Sequence, residues 1–300
     1  MKFRKPLFAL AAVTALAAPA AIAHRMWLLP SSTVVSGTDN WVTVDAAVSN
    51  DLFYFDHRPM GAIPTITQPD GTEGKAEHHN VGQFRATFDV HLTQQGTYRI
   101  AVVNQGVFGR YTLNGETKML PRGTTKAQLA TAIPAGATDV QTSEMLARNE
   151  IFVTQGAPTN TVFKPTGEGI ELVPVTHPND LVANEPATFQ FLLDGKPASG
   201  LYVTTILGGG RYRNAPKQME QRTDASGKVT IQWPEAGMYW INVTPNAPRP
   251  EGEGEGPRPP AQAQAQAGAP RPAQGGPQGM RGVPSGRRVS YTTTLEVLAP

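Results

Sequence analysis

The same strand–turn–strand pattern occurs twice in this 300-residue chain, 141 residues apart. Residues 92–102 (LTQQGTYRIAV) align without gaps on residues 233–243 (WPEAGMYWINV). Each copy has alternating apolar residues on both sides of a Gly-x-Tyr turn, a pattern typical of half-buried antiparallel hairpins. The tyrosine after the turn also resembles the tyrosine corner of sandwich folds. The repeat therefore predicts two β-sandwich domains of similar design.

The rest of the chain agrees with an all-β fold. Short alternating segments are separated by turn residues such as Pro69-Asp70-Gly71. We predict two immunoglobulin-like or transthyretin-like β-sandwich domains in tandem, residues 24–164 and 165–300. Residues 245–288 are rich in Pro, Gly, Ala and Gln and have no apolar period, which predicts a long disordered insertion before the last strand.

The first 23 residues have the features of a secretory signal peptide. Lys2, Arg4 and Lys5 precede an apolar run at 7–18, and alanines occupy positions 21 and 23. The run is too short to span a bilayer. These features predict cleavage after residue 23 and a soluble periplasmic protein.

Composition excludes several classes of function. Without the three basic residues of the signal peptide, 23 Lys and Arg face 24 Asp and Glu, so nucleic acid is not an expected partner. The chain has no cysteine, which excludes disulfides and thiolate sites. It also lacks a Gly-x-Ser-x-Gly elbow and a dinucleotide-binding fingerprint, so we expect no catalytic activity.

Cleavage after residue 23 would make His24 the first residue of the mature protein. A free α-amine (pKa about 7.7–8.0) and an imidazole (about 6.5) both offer neutral nitrogen near neutral pH, so the two together can chelate one metal ion. Imidazole nitrogen suits copper, nickel, zinc and iron. The alternative is that a histidine follows the cleavage site by chance.

The other histidines extend the metal hypothesis. His57 and one of His78 and His79 are predicted to complete a site with His24, because the loops of a sandwich cluster at its ends. No His-x-x-x-His or related motif supports this set, and a solvated loop at 78–79 is the alternative. His91 is predicted to lie on an exposed strand face, and His177 in a turn.

Four segments of the chain resemble those of a known protein family. They are AHRMWLLP (23–30), ELVPVTHPNDL (171–181), LDGKP (193–197) and TDASG (223–227). In these features the chain resembles the exported proteins of domain-of-unknown-function family 4198, some of which are named periplasmic components of cobalt or nickel uptake systems. The resemblance covers nearly the whole mature chain except 245–288. It implies a periplasmic protein of one or two β-sandwich domains with a divalent-cation role, and it carries metal binding over to His24 alone.

The sequence thus favours a non-catalytic periplasmic protein that binds nickel, cobalt or copper for uptake or handling, with a membrane metal-uptake complex as its expected partner. The alternative is an envelope structural or carbohydrate-binding module without a metal site, for which Phe53, Tyr54 and Phe55 would form an exposed aromatic strip. A third hypothesis is a metal-dependent redox enzyme built on the same N-terminal histidine.

Overall fold

Strands form nearly all of the regular structure in the residues that the computed structural model describes, which are 24–61, 63–247 and 286–300. The predicted signal peptide and most of the predicted insertion, residues 248–285, lie outside the described residues. In chain order the strands are β1 (Arg25–Pro30), β2 (Val34–Val35), β3 (Asn40–Ser49), β4 (Thr65–Thr67), β5 (Glu73–Gly74), β6 (Glu77–Val81), β7 (Ala86–Leu92), β8 (Gly96–Leu113), β9 (Glu116–Met119), β10 (Thr138–Gln155), β11 (Ile170–Pro174), β12 (Pro186–Leu193), β13 (Lys196–Pro197), β14 (Tyr202–Leu207), β15 (Gln218–Arg222), β16 (Lys228–Gln232), β17 (Gly237–Thr244) and β18 (Gly286–Val297).

Helical structure is limited to short segments in the same described ranges. They are one α-helix, α1 (Leu129–Ala132), and two 3-10 turns, Thr161–Phe163 and Gly210–Tyr212. None of these is long and apolar enough to cross a membrane.

The strands form three sheets. The first contains four strands in the order β1-β3-β7-β6. The central sheet has the order β15-β14-β17-β18-β10-β8-β4-β5, with β2 beside β10 and β9 beside β8. In the third sheet, β12 pairs with β11, β13 and β16. The central sheet therefore takes part in both sandwiches.

Two hydrophobic cores lie between these sheets. The first sheet and the β8–β10 part of the central sheet enclose one core, which includes Val44, Phe88, Val90, Tyr98 and Ile151. The third sheet and strands β14, β17 and β18 enclose the other, which includes Phe189, Phe191, Ile231, Tyr239 and Tyr291. In strands such as β7 and β16, alternate residues face these cores, as the apolar period requires. The prediction of an all-β, β-sandwich fold is confirmed.

The predicted hairpins at the repeated Gly-x-Tyr turns are wrong, because each turn connects strands of different sheets. β7 pairs with β3 and β6, whereas β8 pairs with β4, β9 and β10. Gly96 and Gly237 have φ of 124° and 146°, which L side chains rarely adopt. The Tyr98 hydroxyl bonds to the backbone of Gln94, and the Tyr239 hydroxyl donates to a carbonyl oxygen four residues earlier. Both turns are tyrosine corners.

Strands β10 and β18 pair in parallel, from Ser143 opposite Gly286 to Glu150 opposite Thr293. This pairing joins the two sandwiches by backbone hydrogen bonds, and the boundary predicted after residue 164 stays a prediction. The last strand begins at Gly286, so the final residues of the segment predicted to be disordered are paired strand residues.

A third, smaller apolar cluster joins the first sheet to the second sandwich. Its buried members are Trp27, Ala47, Leu52, Ile206 and Trp240. Strand β1 thus packs one face toward the first core and the other toward this junction. The first strand of the described residues begins at this point, directly after His24.

Candidate metal centre

His24 lies at the start of β1, where the pairing of β1 with β3 places it beside the end of β3. His24 directly precedes Arg25, which pairs with Ser49, the last residue of β3. Arg25 Nη1 donates a hydrogen bond to the Asn50 carbonyl oxygen at 2.8 Å. The indole N–H of buried Trp240 donates to the Met26 carbonyl oxygen at 3.0 Å. These contacts fix the backbone that carries His24.

The loop after β3 brings His57 back to the same place. The Asp56 carboxylate accepts hydrogen bonds from the Asn50 N–H at 3.3 and 3.4 Å, and from His57 Nδ1 at 2.7 Å. Phe53 anchors the middle of the loop, because its ring packs edge-on against the Trp27 indole with centroids 5.4 Å apart. The loop is therefore held by polar contacts at one point and by aromatic packing at another.

The rings of His24 and His57 contact each other. Their centroids are 4.1 Å apart and their planes are inclined by 53°. Bonds from zinc to imidazole nitrogen are about 2.0–2.1 Å long, so two nitrogens that share an ion lie about 3–4 Å apart. The spacing of the two rings is compatible with one shared ion after small rotations of the side chains.

The carboxylate beside His57 is held in its charged form. Partial burial of the Asp56 carboxyl acts to raise its pKa, but hydrogen bonds from His57 and from the Asn50 N–H outweigh that effect and leave the pKa below its usual value. A negative charge therefore lies next to the candidate centre. The Asp56 carboxylate contacts the His57 ring at Nδ1 and leaves the Nε2 side of that ring on the opposite edge.

Within residues 24–61, 63–247 and 286–300, no three side chains of His, Asp or Glu come together as a group that could hold a metal ion. His24 and His57 supply two imidazoles. A third protein donor at this place would be the α-amine that cleavage after residue 23 would create. The residues present fit a metal ion only with that amine, or with solvent, in the coordination shell.

The structure places His78 and His79 elsewhere on the first sheet. A bulge lies between Glu77 and Asn80 of β6, and His78 has a positive φ of 51° within it. His78 Nδ1 bonds to an oxygen of Asp89 at 2.8 Å. The ring of His79 lies 6.5 Å from that of Phe88, a core residue. The bulge therefore gives the two neighbouring histidines different neighbours, which belong to β7 and β3 rather than to the start of β1.

His91 belongs to a separate group on the outer face of this sheet. Its ring stacks on the Trp41 indole, with centroids 4.2 Å apart and planes only 6° apart. His91 Nε2 contacts the Asp39 carboxylate. The ring of His78 lies 5.8 Å from the same Trp41 indole. Trp41 is 46% exposed, so the group lies on the surface, as predicted for His91.

The three residues of the predicted aromatic strip have different surroundings. Phe53 and Phe55 both contact Trp27. Tyr54 instead faces the 3-10 turn at 210–212, where its ring lies 6.3 Å from that of Tyr212. The three rings therefore pack against different parts of the protein.

Sequence reasoning did not assign a role to Asp56 or to the Trp41 group. The adjacency of Asp56 and His57 was a usable signal, since a carboxylate next to a histidine often orients its ring. No local pattern points to Trp41, because its contacts come from the pairing of Trp41 with His91 across β3 and β7.

Several solved structures are similar to this chain, but only loosely. A DUF4785 family protein from Legionella pneumophila subsp. pneumophila str. Philadelphia 1 has 9% identity and a TM-score of 0.23, over 72% of this chain and 50% of its own. The chain thus spans half the length of that protein. The D0-D1 domain of Intimin has 14% identity and a TM-score of 0.21, over 90% and 97% of the two chains. Alpha-2-macroglobulin of E. coli has 12% identity and a TM-score of 0.22, over 77% of this chain and 13% of its own. With scores this low, no property of these proteins is carried over.

No curated protein matches the sequence. One protein family does match, over residues 21–245, which is most of the chain and includes both histidines of the candidate centre. The chain belongs to this family, the domain of unknown function DUF4198.

Proposed function

We propose that the mature protein binds one divalent transition-metal ion, of the nickel, cobalt or copper class, through His24 and His57, and that it serves metal uptake or handling. The observation that carries this proposal is the contact between the two rings, whose centroids are 4.1 Å apart although 32 residues separate them in sequence. The proposed activity is binding and delivery rather than catalysis.

The donors at this place favour a particular class of ion. Two imidazoles and an α-amine form an all-nitrogen set, which suits copper and nickel better than it suits magnesium or calcium. The chain has no cysteine to offer a thiolate. An N-terminal histidine also binds through two atoms of one residue, so little extra ordering of the chain accompanies the second bond.

Export is part of the proposal. Residues 1–23 would act as a signal peptide, and their removal in the periplasm would create the α-amine of His24. The complete donor set would therefore exist only in the processed protein. A membrane metal-uptake complex is the partner that we propose for delivery.

Calorimetric titration of two forms of the protein tests the proposal. One form is the processed protein, with His24 confirmed as its first residue by mass spectrometry. The other, the extended form, carries an acetyl group on the α-amine of His24, which turns that amine into an amide whose nitrogen lone pair is delocalised and does not bind the ion. Both forms are titrated with Cu²⁺, Ni²⁺ and Co²⁺ at the same pH.

We expect tight binding of one ion by the processed form and much weaker binding by the extended form. Equal weak binding by both forms would contradict the proposal, and the structural or carbohydrate-binding alternative would then be preferred. Thermal unfolding without metal serves as the control, because the acetyl group should leave the fold unchanged.

A further inference from the structure

The Asp56 carboxylate connects the two segments that carry the candidate ligands. It accepts from His57 Nδ1 at 2.7 Å, and both of its oxygens lie within 3.4 Å of the Asn50 backbone nitrogen. Asn50 directly follows Ser49, which pairs with Arg25, and the Asn50 carbonyl oxygen accepts from Arg25, the residue after His24. Asp56 therefore holds the loop of His57 against the end of β3 that pairs with the start of β1.

This contact determines which nitrogen of His57 is free. An ionised carboxylate can only accept hydrogen bonds, so Nδ1 must carry the hydrogen. Neutral imidazole has one hydrogen, and Nε2 is then left with a lone pair. An ion shared with His24 would thus bind His57 through Nε2.

The carboxylate also changes the charge next to the ion. The amine and the two imidazoles are neutral donors, so they leave the charge of a bound cation uncompensated. A carboxylate hydrogen-bonded to the far side of a ligating imidazole makes that ligand more basic. Its attraction for a doubly charged ion is also about twice that for a singly charged ion at the same distance.

We propose that Asp56 is a positioning residue that directs Nε2 of His57 toward the ion and favours a divalent ion, such as Cu²⁺, over monovalent Cu⁺. This inference rests on the proposed function of the His24 and His57 pair. It adds a residue and a selectivity to that function.

The chain contains a matched control for this residue. Asp89 contacts Nδ1 of His78 at 2.8 Å, so it has the same chemistry as Asp56. It lies on β7 beside β6, where His78 also contacts Trp41, rather than beside His24. Asp56→Asn and Asp89→Asn therefore remove the same charge from two histidine–carboxylate pairs. An asparagine oxygen can still accept from Nδ1–H, so neither variant needs to lose its fold.

The experiment measures the affinity for Cu²⁺, the affinity for Cu⁺ under anaerobic conditions, and the reduction potential of the copper-loaded protein. For Asp56→Asn we expect Cu²⁺ affinity to fall by about 10–100-fold, as for loss of other partners of metal-bound imidazoles. Cu⁺ affinity should fall less, so the reduction potential should rise. Asp89→Asn should leave all three values unchanged.

Equal losses of Cu²⁺ and Cu⁺ affinity in Asp56→Asn, or no loss at all, would overturn the inference.

A measurement without metal distinguishes failure of this inference from failure of the proposed function. In the unloaded protein, ¹⁵N NMR of His57 should show the Nδ1–H tautomer, and Asp56→Ala should make the ring a mixture of tautomers. A mixture in the wild type would overturn the role of Asp56 even if metal binds. The expected tautomer without any metal binding would refute the proposed function and, with it, the selectivity for Cu²⁺.

Discussion

Two pairs of histidines lie at opposite ends of strand β3, and they differ in what their rings contact. His24 and His57 contact each other, and one carboxylate, Asp56, bonds to one of the two rings. His78 and His91 each have a carboxylate of their own, Asp89 and Asp39. The Trp41 indole lies against both of these rings. The two pairs therefore offer different surroundings to a metal ion.

Under the proposed cleavage after residue 23, the two pairs also differ in their distance along the chain from the new α-amine. The first pair lies where β1 begins, so a new α-amine would arise beside it. The second pair lies on the open face of the sheet, where the rings are engaged in stacking and in hydrogen bonds. We therefore expect metal binding at the first pair and a surface-stabilising role at the second.

The largest expected effect comes from removing the second imidazole of the candidate centre. Loss of a residue that hydrogen-bonds to a metal ligand lowers metal affinity by up to roughly 100-fold. His57→Ala removes a ligand itself, so it should lower the affinity by more than that. Calorimetry on the processed protein measures the change. His78→Ala is the control and should bind metal as the wild type does. A similar loss in both variants would show that the two pairs do not differ in metal binding.

The next effect tests whether the loop of His57 is held by the second sandwich. A Cβ on Gly208 would lie 2.6 Å from two ring carbons of Phe53 and 3.0 Å from the Met238 carbonyl oxygen. Gly208→Ala should therefore lower the free energy of unfolding by about 1–3 kcal/mol and weaken metal binding as well. Chemical denaturation and calorimetry measure the two effects.

Gly210, two residues further along the chain, provides the control for this variant. A Cβ on Gly210 meets no atom within 4 Å, so Gly210→Ala should change neither stability nor metal affinity. Unchanged metal binding in a destabilised Gly208→Ala protein would show that the loop does not depend on this contact.

A smaller effect is expected at the second pair. Trp41→Ala removes the stack on His91, and aromatic contacts of this kind contribute about 0.5–1.5 kcal/mol. Thermal unfolding should show this loss, with metal affinity unchanged. Phe84 is 54% exposed, and Phe84→Ala is the control for loss of a surface ring. Weaker metal binding in the Trp41 variant would mean that the second pair takes part in the site.

The smallest effect concerns the pH dependence of stability. Hydrogen bonds from Thr43 and then from His78 lower the pKa of Asp89. A carboxyl whose pKa is lower in the folded protein stabilises it above the pKa of the unfolded chain, and this contribution is lost as the pH falls through the folded value. Asp89→Asn should thus be less stable at neutral pH by about 0.5 kcal/mol or less.

This small difference in stability should disappear in acid, where the protonated carboxyl of the wild type is as neutral as the amide of the variant. Denaturation of both proteins at neutral pH and in the acid range measures it. A difference that persists below the folded pKa would mean that the amide side chain of the variant strains the sheet, and that the charge is not the cause.

Much of the fold can be predicted from the sequence, because alternation shows which side chains face a core. It assigns Phe88, Val90 and Leu92 to one face of a strand, and all three are buried. The same alternation cannot distinguish a hairpin from a corner between two sheets, since both present apolar residues at every second position. Nor does any local pattern indicate that β10 and β18 pair in parallel, because that pairing joins residues more than 140 positions apart.

The candidate centre is only partly predictable from the sequence. His24 stands out because of the predicted cleavage site, but its contact with His57 depends on the register of β1 against β3 and on the bond between Asn50 and Asp56. Neither contact leaves a local pattern. In sequence, His78 looks equivalent to His57 as a loop histidine, but a bulge with positive φ places it beside Asp89 instead.

The most direct test is a crystal structure of the processed protein loaded with copper, with the ion located by its anomalous scattering. We expect one strong peak between the first pair, about 2.0–2.1 Å from a ring nitrogen of His24 and from Nε2 of His57, with the α-amine as a third ligand. A peak beside His78, His79 or His91, with none between His24 and His57, would contradict the proposed centre.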